Sequence, residues 1–243
     1  MAFQVQDTHA DTATKPFRKQ YRLFHAAFAQ FCYTGSQVAI AGYFINYVTE
    51  TRPGTTNAQG SQFLAGAQGA FAAGRFAGSA LMRFVKPRYV FLVYMTLIIV
   101  FVAPSITQRG NTGMAMLYLT LFFESIIFPT IVALGMRGLG KYSKRGSGFI
   151  VGGVAGGACV PPLLGVAADA NNSTAIAMSV PLAFFVAAWS YAFCVNFLSA
   201  YRTPVDSLGQ ANIGIENAEH TESNAEKGGI EMQEDIARAR HAA

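Results

Sequence analysis

Six long apolar stretches divide the chain, Leu23 to Tyr47, Ser61 to Phe84, Tyr89 to Ile106, Gly113 to Leu139, Gly146 to Ala168 and Met178 to Ala200, with short polar segments between them. Hydrocarbon offers a bare backbone no hydrogen-bond partner, so a crossing helix needs roughly 20 mostly apolar residues. All the stretches meet that length, Tyr89 to Ile106 only near the short limit. The pattern predicts an all-α membrane protein of six transmembrane helices. Residues 1–20 are polar and lack the apolar core and cleavage pattern of a secretory signal, which leaves the first stretch as its own insertion signal. Beyond Tyr201 the sequence turns to Glu, Asn, Gln, Ala and Lys. The expected organisation is a linker-like segment over 1–20, a transmembrane bundle over 21–202, and a polar, disordered, solubilising tail over 203–243.

Composition agrees with the pattern: 52% hydrophobic and 13% charged residues is too apolar for an ordinary soluble domain, where roughly a quarter is charged. Charge then orients the bundle. Lys15, Arg18, Lys19 and Arg22 precede the first stretch, Arg83, Lys86 and Arg88 follow the second, and Arg137, Lys141, Lys144 and Arg145 follow the fourth. The intervening loops carry only Arg52 and Arg109. Short Lys/Arg-rich loops stay on the cytoplasmic side, so both termini are expected there. The net charge of +5 thus belongs to loop ends and points away from nucleic acid. Cys32, Cys159 and Cys194 all fall inside stretches without clustered spacing, and read as free packing thiols with no metal role. Asn171-Asn172-Ser173-Thr174 holds overlapping glycosylation sequons in an outward loop short enough to hug the membrane.

The interior is more polar than an anchor requires. Gln30, Tyr33 and Gln37 recur at spacings of three and four, on one face of the first helix. Such a row can grip the hydroxyls of a sugar, donating and accepting at once, or can tie helices together. Glu124 stands near the middle of the fourth stretch, and Arg75 in the second falls at a similar depth. A lone charge at mid-bilayer costs about 2.5–3.5 kcal/mol or more, so the two are expected to pair. Two roles are open: a static or gating lock, favoured because a neighbouring guanidinium makes a carboxylate hold its proton poorly, or a proton-coupling acid. In the fifth stretch Gly152, Gly153, Gly156 and Gly157 allow close helix approach, while Pro161 and Pro162 remove backbone donors. Pro129 makes a similar break after Glu124. These residues read as hinge or packing positions.

The runs Phe31-Cys32-Tyr33-Thr34-Gly35-Ser36-Gln37-Val38, Gly74-Arg75-Phe76-Ala77-Gly78 with Lys86-Pro87-Arg88, Phe128-Pro129-Thr130-Ile131, and Lys144-Arg145-Gly146-Ser147-Gly148-Phe149-Ile150 occur in a recognisable order. With the Gly-Gly to Pro-Pro segment ending at Gly165, they resemble the L-fucose:proton symporter family of the major facilitator superfamily, over about Tyr21 to Tyr201. The resemblance implies one half of such a transporter, the C-terminal six-helix half, with substrate bound between halves near mid-membrane. It also implies that the acids chiefly credited with proton coupling lie in the half not represented here. Where the wider superfamily often places an acid before the arginine of its loop motif, Met82 precedes Arg83. Arg83, Lys86 and Arg88 are then left for anionic head groups or the cytoplasmic ends of neighbouring helices.

The expected function is that of a transmembrane sugar transporter portion, for a monosaccharide such as L-fucose, galactose or glucose, by proton symport and alternating access in the complete protein. The resemblance implies no cofactor beyond the proton as coupling ion. The expected partners are the lipid bilayer, the sugar, and a matching N-terminal half or a second copy. The expected location is the plasma membrane in preference to internal membranes. The alternatives are a non-transporting sugar sensor or scaffold, and an inactive truncated fragment. An enzyme is not expected, since no metal-ligand spacing, Ser/His pairing or phosphate-cradling loop is present and His25 stands alone at the head of the first stretch.

Overall fold

A computed structural model describes residues 20–137, 139 and 142–202. The linker-like segment expected over 1–20, Gln20 apart, and the tail expected over 203–243 lie outside the described residues. Among the described residues the elements are α1 (Tyr21–Thr51), α2 (Asn57–Phe84), α3 (Pro87–Ser105), α4 (Gly110–Glu124), α5 (Ile127–Met136), α6 (Ser143–Gly152), α7 (Gly156–Asn171), α8 (Thr174–Ala177) and α9 (Ser179–Phe197), with a 3₁₀ turn at Gly153–Ala155. No strand occurs among them. Four segments are long and apolar enough to cross a membrane by length and composition: Pro87–Ser105, Gly110–Met136, Lys144–Asn171 and Thr174–Phe197. The helices α1 and α2, with 31 and 28 residues, have the length, but interspersed Gln, Asn, Gly and Thr lower their hydropathy.

The helix ends follow local chemistry. A reciprocal capping box opens α2, with the Gln59 amide donating to Thr56 Oγ1 at 3.3 Å and the Thr56 amide to Gln59 Oε1 at 3.1 Å. Asn172 closes α7 with φ 48°, in the left-handed region that asparagine tolerates. Pro129 lacks the N–H that the carbonyl of Ser125, four residues earlier, would take in a helix. The chain turns over Ser125 and Ile126, and the fourth stretch becomes α4 and α5. The fifth stretch is interrupted at the 3₁₀ turn Gly153–Ala155, ahead of Pro161 and Pro162, which both lie inside α7.

The long helix α1 packs against α2, α5, α6, α7 and α9, while α3 lies against α4 and α9. Leu23, Tyr33, Ile40, Phe44 and Tyr47 of α1 meet a core completed by Phe91, Leu117, Ile131 and Phe185. Glycine sets the closest approach. A Cβ at Gly156 would run into the Phe31 carbonyl, and one at Gly153 would lie 2.8 Å from the Ala27 carbonyl. Along α2 only Gly60, Ala67, Gly74 and Gly78 are buried, a stripe of small residues in which Gly60 faces Ile45 of α1 and Gly74 faces Phe122 and Ser125.

Candidate functional site at the break between α4 and α5

The break leaves carbonyls that the helix cannot satisfy, and side chains from two other helices take them. Tyr33 of α1, fully buried, donates its hydroxyl to the Glu124 carbonyl at 2.6 Å. Arg75 of α2 donates from Nε to the Ser125 carbonyl at 3.2 Å, the acceptor that Pro129 leaves free. The Ser125 hydroxyl turns back to the Phe122 carbonyl at 2.7 Å. Tyr33, Glu124 and Arg75, each singled out in the sequence, thus converge on one short segment of backbone.

The expected Arg75–Glu124 ion pair is not formed. Arg75 is exposed, with its guanidinium 5.0 Å from the centre of the Phe71 ring and its Nε on the Ser125 carbonyl. Glu124 is fully buried and neither carboxyl oxygen has a hydrogen-bond partner among the described residues. The guanidinium goes instead to the backbone carbonyl next to the acid, which Pro129 leaves without its helical donor and which competes for the same cation.

The other expected positions separate. Gln30 is buried and donates to Thr34 Oγ1 at 3.2 Å, leaving its own Oε1 without a partner, while Gln37 is half-buried. Of the glycines, Gly153 and Gly156 are buried against α1, Gly157 makes a looser contact with Val38, and Gly152 faces open space. Pro129 and Pro162 are exposed and Pro161 is half-buried. Two contacts went unread in the sequence. Ser36 donates to both the Cys32 and the Pro181 carbonyl at 3.0 Å, joining α1 to α9. At the other end of α1, the Glu50 carboxylate takes the Ser173 hydroxyl at 2.7 Å and the Thr174 amide, fastening α1 to the start of α8. His25 is not alone: its ring nitrogens lie 3.0 Å from Ser190 Oγ and 3.2 Å from the Tyr201 hydroxyl. Arg88 is buried over the Tyr89 ring and its carbonyl accepts from Asn196, so it joins helix ends and does not meet head groups. No group of three or more metal-ligating side chains occurs among the described residues.

The chain is 34% identical over 193 residues to an L-fucose-proton symporter of Escherichia coli, a match covering 76% of this chain and 44% of that protein. A glucose/galactose transporter of Brucella abortus is 32% identical over 178 residues, with 72% and 41% covered. The fold matches that of the major facilitator superfamily transporter FucP in its outward conformation, with a TM-score of 0.70 and 32% identity over 76% of this chain and 46% of that one. The chain belongs to the L-fucose:proton symporter family of the major facilitator superfamily. No protein-family model matches it. It spans less than half the length of the symporter and transporter relatives it matches. As a member of this family it is an integral membrane protein.

Proposed function

We propose that this chain is the C-terminal six-helix half of a monosaccharide transporter working by proton symport and alternating access, for a sugar of the L-fucose, galactose or glucose type. The observation that carries the reading is a polar row on α2. Each buried small residue, Gly60, Ala67, Gly74 and Gly78, is followed by an exposed polar one, Ser61, Gln68, Arg75 and Ser79. A row of that polarity at membrane depth calls for protein or water beside it. Its cover is a matching N-terminal half or a second copy, with the sugar held between the two. Gln37 is the substrate-binding candidate with its side chain least engaged, while Tyr33 and Gln30 have structural hydrogen bonds as well. Exposed Arg83, Lys86, Lys144 and Arg145 support a cytoplasmic side at the ends of α2 and α6. That orientation puts both termini in the cytoplasm, and the plasma membrane is the proposed location.

The test is uptake of labelled L-fucose, galactose and glucose into cells expressing the chain alone and together with an N-terminal half. Uptake that requires the second half supports a split transporter, and uptake by the chain alone supports a pair of copies. No uptake and no sugar binding in either case removes the transport reading.

A further inference from the structure

Glu124 is the last residue of α4, where the helix dipole presents its negative end. Its carboxyl is 0% exposed. Tyr33 from α1 gives its hydrogen to the Glu124 backbone carbonyl and Arg75 from α2 gives its Nε hydrogen to the Ser125 carbonyl, and neither carboxyl oxygen of Glu124 receives a hydrogen bond among the described residues. A carboxylate left there would be a buried charge without a donor, at the unfavourable end of a helix. A carboxylic acid carries no charge and buries one donor and one acceptor.

We infer that Glu124 is a proton-binding site of this half, held as the neutral acid while Arg75 rests on the Ser125 carbonyl. The alternate state follows from the geometry. Ser125 adjoins Glu124, so a small slide of α2 along α4 moves the guanidinium from the carbonyl to the carboxylate. The contact that slides is the one between Gly74 and Phe122 and Ser125, and the step also requires the Tyr118 hydroxyl of α4 to release the Phe63 carbonyl of α2 and the Ile126 side chain to shift against Gly78. In that step the acid gives its proton to water, leaving a carboxylate and a hydronium ion, and the carboxylate takes the guanidinium. Reloading reverses both transfers. Use of the proton to drive sugar rests on the transporter reading, whereas its binding does not.

Infrared spectroscopy of the purified full chain at neutral pH tests the inference without sugar. Solvated carboxyls are ionised there, so a protonated-acid carbonyl band reports a buried one. The expected result is such a band in the unmodified protein, shifted by isotope-labelled glutamate and lost in Glu124→Gln. The isotope shift is read on the unmodified protein and assigns the band to glutamate; should Glu124→Gln fail to fold, Glu124→Asp, which keeps an acid at that position, identifies the residue by a band that no longer shifts with labelled glutamate. Absence of a glutamate-dependent band, or its persistence in folded Glu124→Gln, overturns the proposal. If the band is present and no sugar is moved or bound, with or without an N-terminal half, the proton site stands and the transport reading falls. Sugar transport without the band gives the reverse.

Discussion

Tyr33 shows how one hydroxyl fixes a helix break. Its bond to the Glu124 carbonyl, at 2.6 Å and buried, satisfies an acceptor inside the protein. Removing a partner from a buried polar group costs about 1–3 kcal/mol. Tyr33→Phe is therefore expected to lower the thermal unfolding midpoint in detergent, and an unchanged midpoint would show that another donor reaches the carbonyl. Gln37 lies one turn further along the same face, half-buried and without a hydrogen bond among the described residues. Gln37→Ala should change stability by no more than about 0.5 kcal/mol, and should weaken sugar binding by the roughly twofold to tenfold that one hydrogen bond supplies. The opposite split, lost stability with unchanged binding, would make Gln37 a packing residue. Sequence periodicity placed both side chains on one face, since spacing determines direction in a helix. It could not tell which polar group was already engaged, because the donor to the Glu124 carbonyl comes from 91 residues away.

Two contacts between helices show what was legible at the scale of elements. All six apolar stretches are helical among the described residues, the fourth and fifth with interruptions, while four segments are long and apolar enough to cross a membrane by length and composition. The breaks within them were legible at Pro129 and less so in the fifth stretch, where the 3₁₀ turn sits at Gly153–Ala155 and not at Pro161 and Pro162. The glycines there looked alike in sequence and are not alike in the fold. At Gly156 a Cβ would strike the Phe31 backbone, which cannot move aside without separating α1 from α7. Gly156→Ala is expected to destabilise by about 1–3 kcal/mol. Gly152 has nothing within 4 Å of a Cβ, so Gly152→Ala should be neutral, or stabilising by about 0.5–1 kcal/mol through the better helix former. Paired melts of the two variants check this, and equal effects would refute the packing account. Glu50, beyond the first apolar stretch, adds a pH dependence. Partial burial pushes its carboxyl up, but hydrogen bonds from Ser173, Thr174 and Ala175 outweigh that and hold it below the ordinary carboxylate range. A group lowered by folding stabilises fully above its unfolded value and loses that contribution as pH falls through the folded one. The melting difference between the unmodified protein and Glu50→Gln should therefore be greatest near neutral pH and vanish in acid. A difference that grew in acid would contradict the fastening of α1 to α8.

On the scale of the whole molecule, the family was legible because its motifs are local runs, whereas the uncovered face needed coordinates. A sequence lists Gln68 and Arg75 as polar residues at membrane depth without saying whether this chain covers them. The fold leaves them exposed beside the buried stripe of α2, while Phe76 on the same helix is 80% exposed and apolar. Lipid suits Phe76 and does not suit a guanidinium, whose transfer to the bilayer centre costs about 2.5–3.5 kcal/mol or more. On the proposed reading, the two flanks of α2 should thus meet different surroundings. Water in a sugar pathway would bathe Gln68, and hydrocarbon would surround Phe76. Single thiols at these positions, Gln68→Cys and Phe76→Cys with Cys159→Ser to remove the exposed native cysteine, separate the two by reaction with a charged maleimide that stays in water. Labelling at position 68, diminished when sugar is bound, with none at position 76, is the outcome expected of a transport pathway. No labelling at position 68, with or without reaction at 76, would mean that the polar row of α2 does not border water, and would remove the main structural support for a sugar pathway along this helix.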